Sequence, residues 1–156
     1  MKQTRRNLLQ ASGGATVIAL AASTGIFKSG DVFAADWNKA AFDTKSLQET
    51  VKAMGGTAAT ESKDINITSP DIAENGAVVP VSVASKLAKT ESISILVEKN
   101  PNALSAAFEI PGATEPFVST RVKMGQTSNV YALVKADGKY FFATKEIKVT
   151  LGGCGG

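Results

Sequence analysis

Between residues 64 and 151 the chain divides into seven short runs of strand character, and this constrains the fold more than any other feature. The runs are 64–68, 77–83, 92–97, 104–110, 117–124, 129–136 and 139–151. Several alternate with the two-residue period of a half-buried strand. Val118, Thr120, Val122 and Met124 share one face, with Ser119, Arg121 and Lys123 on the other. Ile147, Val149 and Leu151 alternate with Lys148 and Thr150. Turn residues separate the runs: Glu74-Asn75-Gly76, Asn100-Pro101-Asn102, Pro111-Gly112 and Asp137-Gly138. The last lies between two well-patterned runs and predicts a tight hairpin. About seven strands in some ninety residues predict an all-β fold, an immunoglobulin-like antiparallel sandwich. The cysteine and tryptophan core of antibody domains is missing, because Trp37 precedes the strands and Cys154 follows them.

Before the strands, residues 36–55 have helical spacing. Leu47, Val51 and Met54 fall on one face. Asp43 is the expected N-cap, Phe42 and Leu47 form a staple around it, and Gly55-Gly56 is the expected stop. This reads as a packing helix. One domain, residues 35–151, is therefore expected between two short terminal segments.

The first of these is residues 1–34. Arg5-Arg6 precedes a moderately apolar stretch from Ala11 to Phe27 that contains Gly13, Gly14 and Gly25. A twin arginine in that setting predicts a cleaved twin-arginine export signal, hence a periplasmic protein. Val32-Phe33-Ala34 places the expected cut after Ala34. The stretch is too short and too weakly apolar for a permanent membrane anchor. The twin-arginine route moves folded protein, and this sequence offers no cofactor ligands. A partner folded onto the chain before export is the better explanation.

Charge and histidine content narrow the chemistry. The chain has 17 basic and 14 acidic residues, and residues 1–34 hold four and one of them, so 13 of each remain. A neutral remainder gives no electrostatic case for nucleic acid or an anionic membrane. There is no histidine. That excludes Ser-His and Cys-His nucleophile pairs within this chain. With one cysteine, zinc-finger spacing and haem attachment are excluded as well. No metal and no cofactor is expected, and no catalytic residue.

The second terminal segment is Gly152-Gly153-Cys154-Gly155-Gly156. Four glycines carry no side chain to pack, so residues 152–156 read as a thin, flexible arm. Extended, it places Cys154 roughly 10 Å beyond the last strand. That suits delivery of a sulfur atom into a narrow cleft of another protein. The thiol is not activated by its neighbours: an ordinary cysteine has a pKa of about 8.5, and the terminal carboxylate disfavours the thiolate. No histidine, helix N-terminus or nearby lysine lowers it. Cys154 therefore reads as a covalent attachment point and not as a catalytic nucleophile.

Several segments are similar to one family. They are the twin-arginine leader, Ile72-Ala73-Glu74-Asn75-Gly76-Ala77-Val78-Val79-Pro80-Val81, Glu98-Lys99-Asn100-Pro101, Ser119-Thr120-Arg121-Val122-Lys123-Met124 and, most specific of all, Gly152 to Gly156. Together they resemble the SoxY sulfur-carrier family of the bacterial sulfur-oxidation (Sox) system. The resemblance implies a heterodimer with SoxZ and a covalent carrier of sulfur intermediates on Cys154. It also implies transient contacts with the c-type cytochrome SoxAX, the hydrolase SoxB and a sulfane dehydrogenase. The carrier catalyses none of the steps.

Two other readings compete. An exported immunoglobulin-like binding module would make Cys154 incidental or a site of disulfide dimers. A redox enzyme or peroxide sensor lacks a resolving cysteine. Arg121 reads as a solvated strand residue, and Trp37, Phe141 and Phe142 as packing or interface residues.

Overall fold

The computed structural model describes residues 38–150. The predicted export signal, Trp37, Leu151 and the arm with Cys154 lie outside the described residues. The expected single helix is two. Helix α1 spans Lys39–Phe42 and α2 spans Leu47–Ala53. Asp43 is the C-cap of α1 and not the N-cap of a longer helix. Ser46 caps α2, its hydroxyl accepting from the Glu49 N–H, while the Glu49 carboxylate accepts from the Lys45 N–H at 2.8 Å. Thr44 causes the break. Its buried hydroxyl donates to the Ala41 carbonyl at 2.6 Å and lies 2.6 Å from the Thr50 hydroxyl. Short polar side chains that bond to nearby backbone compete with helix continuation.

The stop at Gly55-Gly56 is a Schellman turn. The Gly56 N–H donates to the Val51 carbonyl and the Gly55 N–H to the Lys52 carbonyl, with Gly55 at φ +85°. Leu47, Val51 and Met54 all turn toward the large sheet and pack in one cluster with Leu96, Leu133 and Tyr140.

All seven expected strands form. They are β2 (Ile65–Thr68), β4 (Val79–Ser85), β5 (Thr90–Val97), β6 (Leu104–Glu109), β7 (Phe117–Val122), β8 (Ser128–Ala136) and β9 (Lys139–Val149). Two very short strands join them, β1 (Ala59–Glu61) and β3 (Ile72–Ala73). A large sheet runs β1-β9-β8-β5-β6, with β3 also against β9. A small sheet runs β2-β4-β7. The main ladders are antiparallel, as in an immunoglobulin-like sandwich, while β1 and β3 lie parallel to β9.

Three layers result: helices, large sheet, small sheet. Val79, Val81 and Val83 of β4 meet Ile93, Ile95 and Val97 of β5 and Val130, Ala132 and Val134 of β8 between the sheets. Ser94 and Leu96, on the other face of β5, are buried on the helix side. Strand β5 is therefore buried on both faces, although Ser92-Ile93-Ser94-Ile95 alternates in polarity. Each fully buried Val or Ile contributes about 1.5–3 kcal/mol. The exposed Lys39–Asp43 and Lys89–Asp137 pairs are screened by water and add little beside that.

The hairpin from β8 to β9 turns on Asp137 (φ 48°) and Gly138 (φ 73°). Two central residues at positive φ define the turn whose twist suits a two-residue hairpin. Pro80 sits in the middle strand of the small sheet without loss. Strand β2 pairs only Ser82 to Ser85, so the missing N–H of Pro80 costs no ladder bond on that side.

Candidate functional site

The last described residues, 148–150, form the root of the predicted arm. Their N–H groups point alternately to the two sides of β9. The Lys148 N–H donates to the Asp71 carbonyl at 2.9 Å and the Thr150 N–H to the Ala73 carbonyl at 3.1 Å. Between them, the Val149 N–H donates to the Thr127 hydroxyl at 3.0 Å. The β8–β9 ladder ends at the Ser128–Ile147 pair, so the Thr127 side chain stands where another strand carbonyl would continue it. Strand β3 holds the opposite edge, with Ile72 beside Lys148 and Ala73 beside Val149.

Behind this root the chain is tightly packed. The Met124 N–H donates to the Gly76 carbonyl at 2.7 Å. A Cβ on Gly76 would stand 2.3 Å from the Met124 carbonyl oxygen and 2.9 Å from Cγ1 of Val149. No larger residue fits there without moving backbone. Asn75 shapes the approach, its side-chain oxygen accepting from the Ala77 N–H at 2.9 Å. On the neighbouring loop the Asn100 side chain donates to the Lys123 carbonyl at 2.8 Å, and the Lys99 N–H donates to the Ser128 hydroxyl. The segments at 72–81, 98–101 and 119–124 are far apart in sequence. They meet at the end of the sandwich where β9 ends.

This end is not strongly charged. Lys99, Lys123 and Lys148 are exposed there, and so are Asp71, Glu74 and Glu98. Lys145 reaches along the β9 edge to Asp71 at 2.9 Å and to the Ser69 carbonyl at 2.6 Å, closing the gap between β1 and β3. The Tyr131 hydroxyl donates to Glu98 at 3.2 Å. Burial first, and then the Glu98 carboxylate, hold that phenol above its usual range, so it remains neutral.

No cluster of three or more metal-ligating side chains is present among the described residues. Their open grooves, such as one of about 450 Å³ lined by Gly55, Gly56, Thr57, Tyr140 and Phe141, hold neither histidine nor cysteine. No described helix is long and apolar enough to cross a membrane. Arg121 is exposed on the outer face of the small sheet. Phe141 packs between the sheets and Phe142 on the helix side, against Tyr131.

Cys154, Gly152, Gly153, Gly155 and Gly156 lie outside the described residues. The structure describes instead what holds the segment that leads to them. Sequence reasoning did not foresee Thr127, Gly76 and the carbonyls of Asp71 and Ala73 in that setting. Asn75-Gly76 carried a signal, as a turn. Thr127 carried none.

Comparison with known proteins gives a consistent result. The family described as "Sulfur oxidation protein SoxY" matches residues 50–154, two thirds of the chain, and the match runs through to Cys154. The sulfur carrier protein SoxY from Chlorobium limicola f thiosulfatophilum has a solved structure that is 39% identical. That alignment covers 67% of this chain and 96% of the other, with a TM-score of 0.62. A superoxide reductase (neelaredoxin) from Ignicoccus hospitalis is 22% identical, covering 55% of this chain and 80% of its own, with a TM-score of 0.48. No curated protein matches.

Proposed function

The chain belongs to the SoxY family of sulfur-oxidation proteins, and from that premise we propose that it carries sulfur intermediates covalently on Cys154 and presents them to successive enzymes. The observation that carries this reading is positional. The family match ends on the sole cysteine, and that cysteine lies in the sequence five residues after a strand whose final residues are fastened on both edges.

The chemistry balances without any group supplied by this chain beyond the thiol. Loading joins the Cys154 sulfur to the outer sulfur of thiosulfate. It releases the thiol proton and a pair of electrons, which a c-type cytochrome partner accepts. The product is a cysteine S-thiosulfonate. Hydrolysis by a second partner breaks the bond between the two thiosulfate sulfurs. Water supplies an oxygen to the departing sulfate and a proton to the persulfide left on Cys154. A covalent adduct keeps reactive sulfur from escaping and lets several enzymes recognise one carrier. Because the thiol has no activating neighbour in the sequence, the loading enzyme supplies the activation. The same reading includes export by the twin-arginine route to the periplasm, a heterodimer with SoxZ, and the glycines as reach without shape.

Reconstituted sulfur oxidation tests the proposal. Cys154→Ser abolishes turnover. Replacing Gly153 and Gly155 with Val leaves folding and partner binding intact while slowing turnover at least tenfold, because branched side chains stiffen and thicken the arm. Full turnover by Cys154→Ser would instead make the protein a binding module.

A further inference from the structure

We propose that Met54 is a site of reversible oxidation by peroxides, and that the Ser94 hydroxyl is placed to hold the sulfoxide oxygen formed there. Ser94 lies on the helix side of β5 with 1% of its surface exposed. A hydroxyl buried so completely is normally bonded to an oxygen or a nitrogen. Among the described residues its partner is instead the Met54 sulfur, at 4.0 Å. A thioether is a weak acceptor, so this donor is poorly used while the sulfur stays reduced. Oxidation changes the acceptor. A sulfur–oxygen bond of about 1.5 Å laid into the 4.0 Å separation leaves about 2.5–3.0 Å to the Ser94 oxygen, the range of an O–H···O hydrogen bond.

Access favours Met54 as well. It is half-buried at the C-cap of α2, whereas Met124 is 2% exposed in the core between the sheets. In the reaction a peroxide gives one oxygen to a lone pair of the thioether. Its O–O bond breaks and its other oxygen leaves as water, so the sulfur loses two electrons and the peroxide gains them. The product is polar and chiral, and sulfoxide reductases return it to the thioether. Met54 packs beside Leu96, Leu133 and Tyr140, where a polar group without a partner is costly. The Tyr140 hydroxyl is already committed to the Met54 carbonyl at 2.7 Å. Ser94 is therefore the donor left for the new oxygen, and it limits what oxidation costs at the seam between α2 and the large sheet. The site is separate from Cys154 and does not depend on what that residue carries.

The test exposes the full chain, its thiol blocked by alkylation, to hydrogen peroxide and follows oxygen uptake on each methionine by peptide mass. Met54 should gain one oxygen about fivefold faster than Met124, or more. Urea midpoints are then measured before and after oxidation. Oxidation should lower the midpoint at least about twice as far in Ser94→Ala as in the unsubstituted chain. Met54→Leu, which nearly conserves volume, should lose nothing on oxidation. Equal rates at Met54 and Met124, or the same loss in Met54→Leu, would overturn the site. A merely structural Ser94 would lower the midpoint before oxidation and leave the loss on oxidation unchanged, and that result would overturn its role.

Discussion

Gly55 and Gly56 stand side by side for different physical reasons. Gly55 occupies the left-handed region and has open space around it. Gly56 does not need a special φ. Its missing Cβ would lie 2.6 Å from the Tyr140 ring and 2.7 Å from Val51. The ring cannot step aside cheaply, because its hydroxyl donates to the Met54 carbonyl at 2.7 Å. Gly56→Ala should therefore destabilise by about 1–3 kcal/mol, as overpacking of a filled site does. Urea unfolding would show this as a lower midpoint, and a loss below about 0.5 kcal/mol would mean the Tyr140 contact yields freely. The sequence marked both glycines as a helix stop, since a pair after the last apolar position says that much. It could not mark Gly76 as a packing site, because the atoms that exclude a side chain there come from Met124 and Val149, far along the chain. Thr127 was equally silent: one hydroxyl in a polar turn looks like any other until β9 is laid beside it.

Elements with a clear period were read correctly, and those without one were not. The seven expected strands occur within two residues of their expected ends. Strands β1 and β3 have three and two residues, too few to show alternation. They exist because β9 is longer than its neighbours need and leaves an edge to cover. Covering it removes a site for unwanted strand pairing. The helical region failed at its caps and not at its face. Leu47, Val51 and Met54 pack as their spacing implied, but Thr44 bonds backward to Ala41 and Ser46 starts a new helix. Ser46→Ala should cost about 1 kcal/mol, the usual worth of an N-cap hydroxyl. The urea midpoint should fall without a change in slope, since the surface exposed on unfolding is unchanged. An unaltered midpoint would place the helix boundary in tertiary packing and leave the cap without effect.

On the carrier reading, the whole molecule separates stability from chemistry. The two apolar clusters hold the described residues together, and every buried side-chain nitrogen or oxygen among them has a hydrogen-bond partner. On the proposed carrier reading, the sandwich is a support. The chemistry of the proposed carrier rests on one sulfur atom, that of Cys154. In the sequence, that division is suggested by a lone cysteine among four glycines. The fastening of residues 148–150 is not legible there, because it is assembled from segments that only the fold brings together. The most direct measurement is the intact mass of the protein after thiosulfate turnover with its partner enzymes, without reductant, for the unsubstituted chain and for Cys154→Ser. A reductant-labile gain of one thiosulfate or of added sulfur, absent in Cys154→Ser, is the result predicted. An unmodified thiol or a plain disulfide dimer during active turnover would contradict the carrier role.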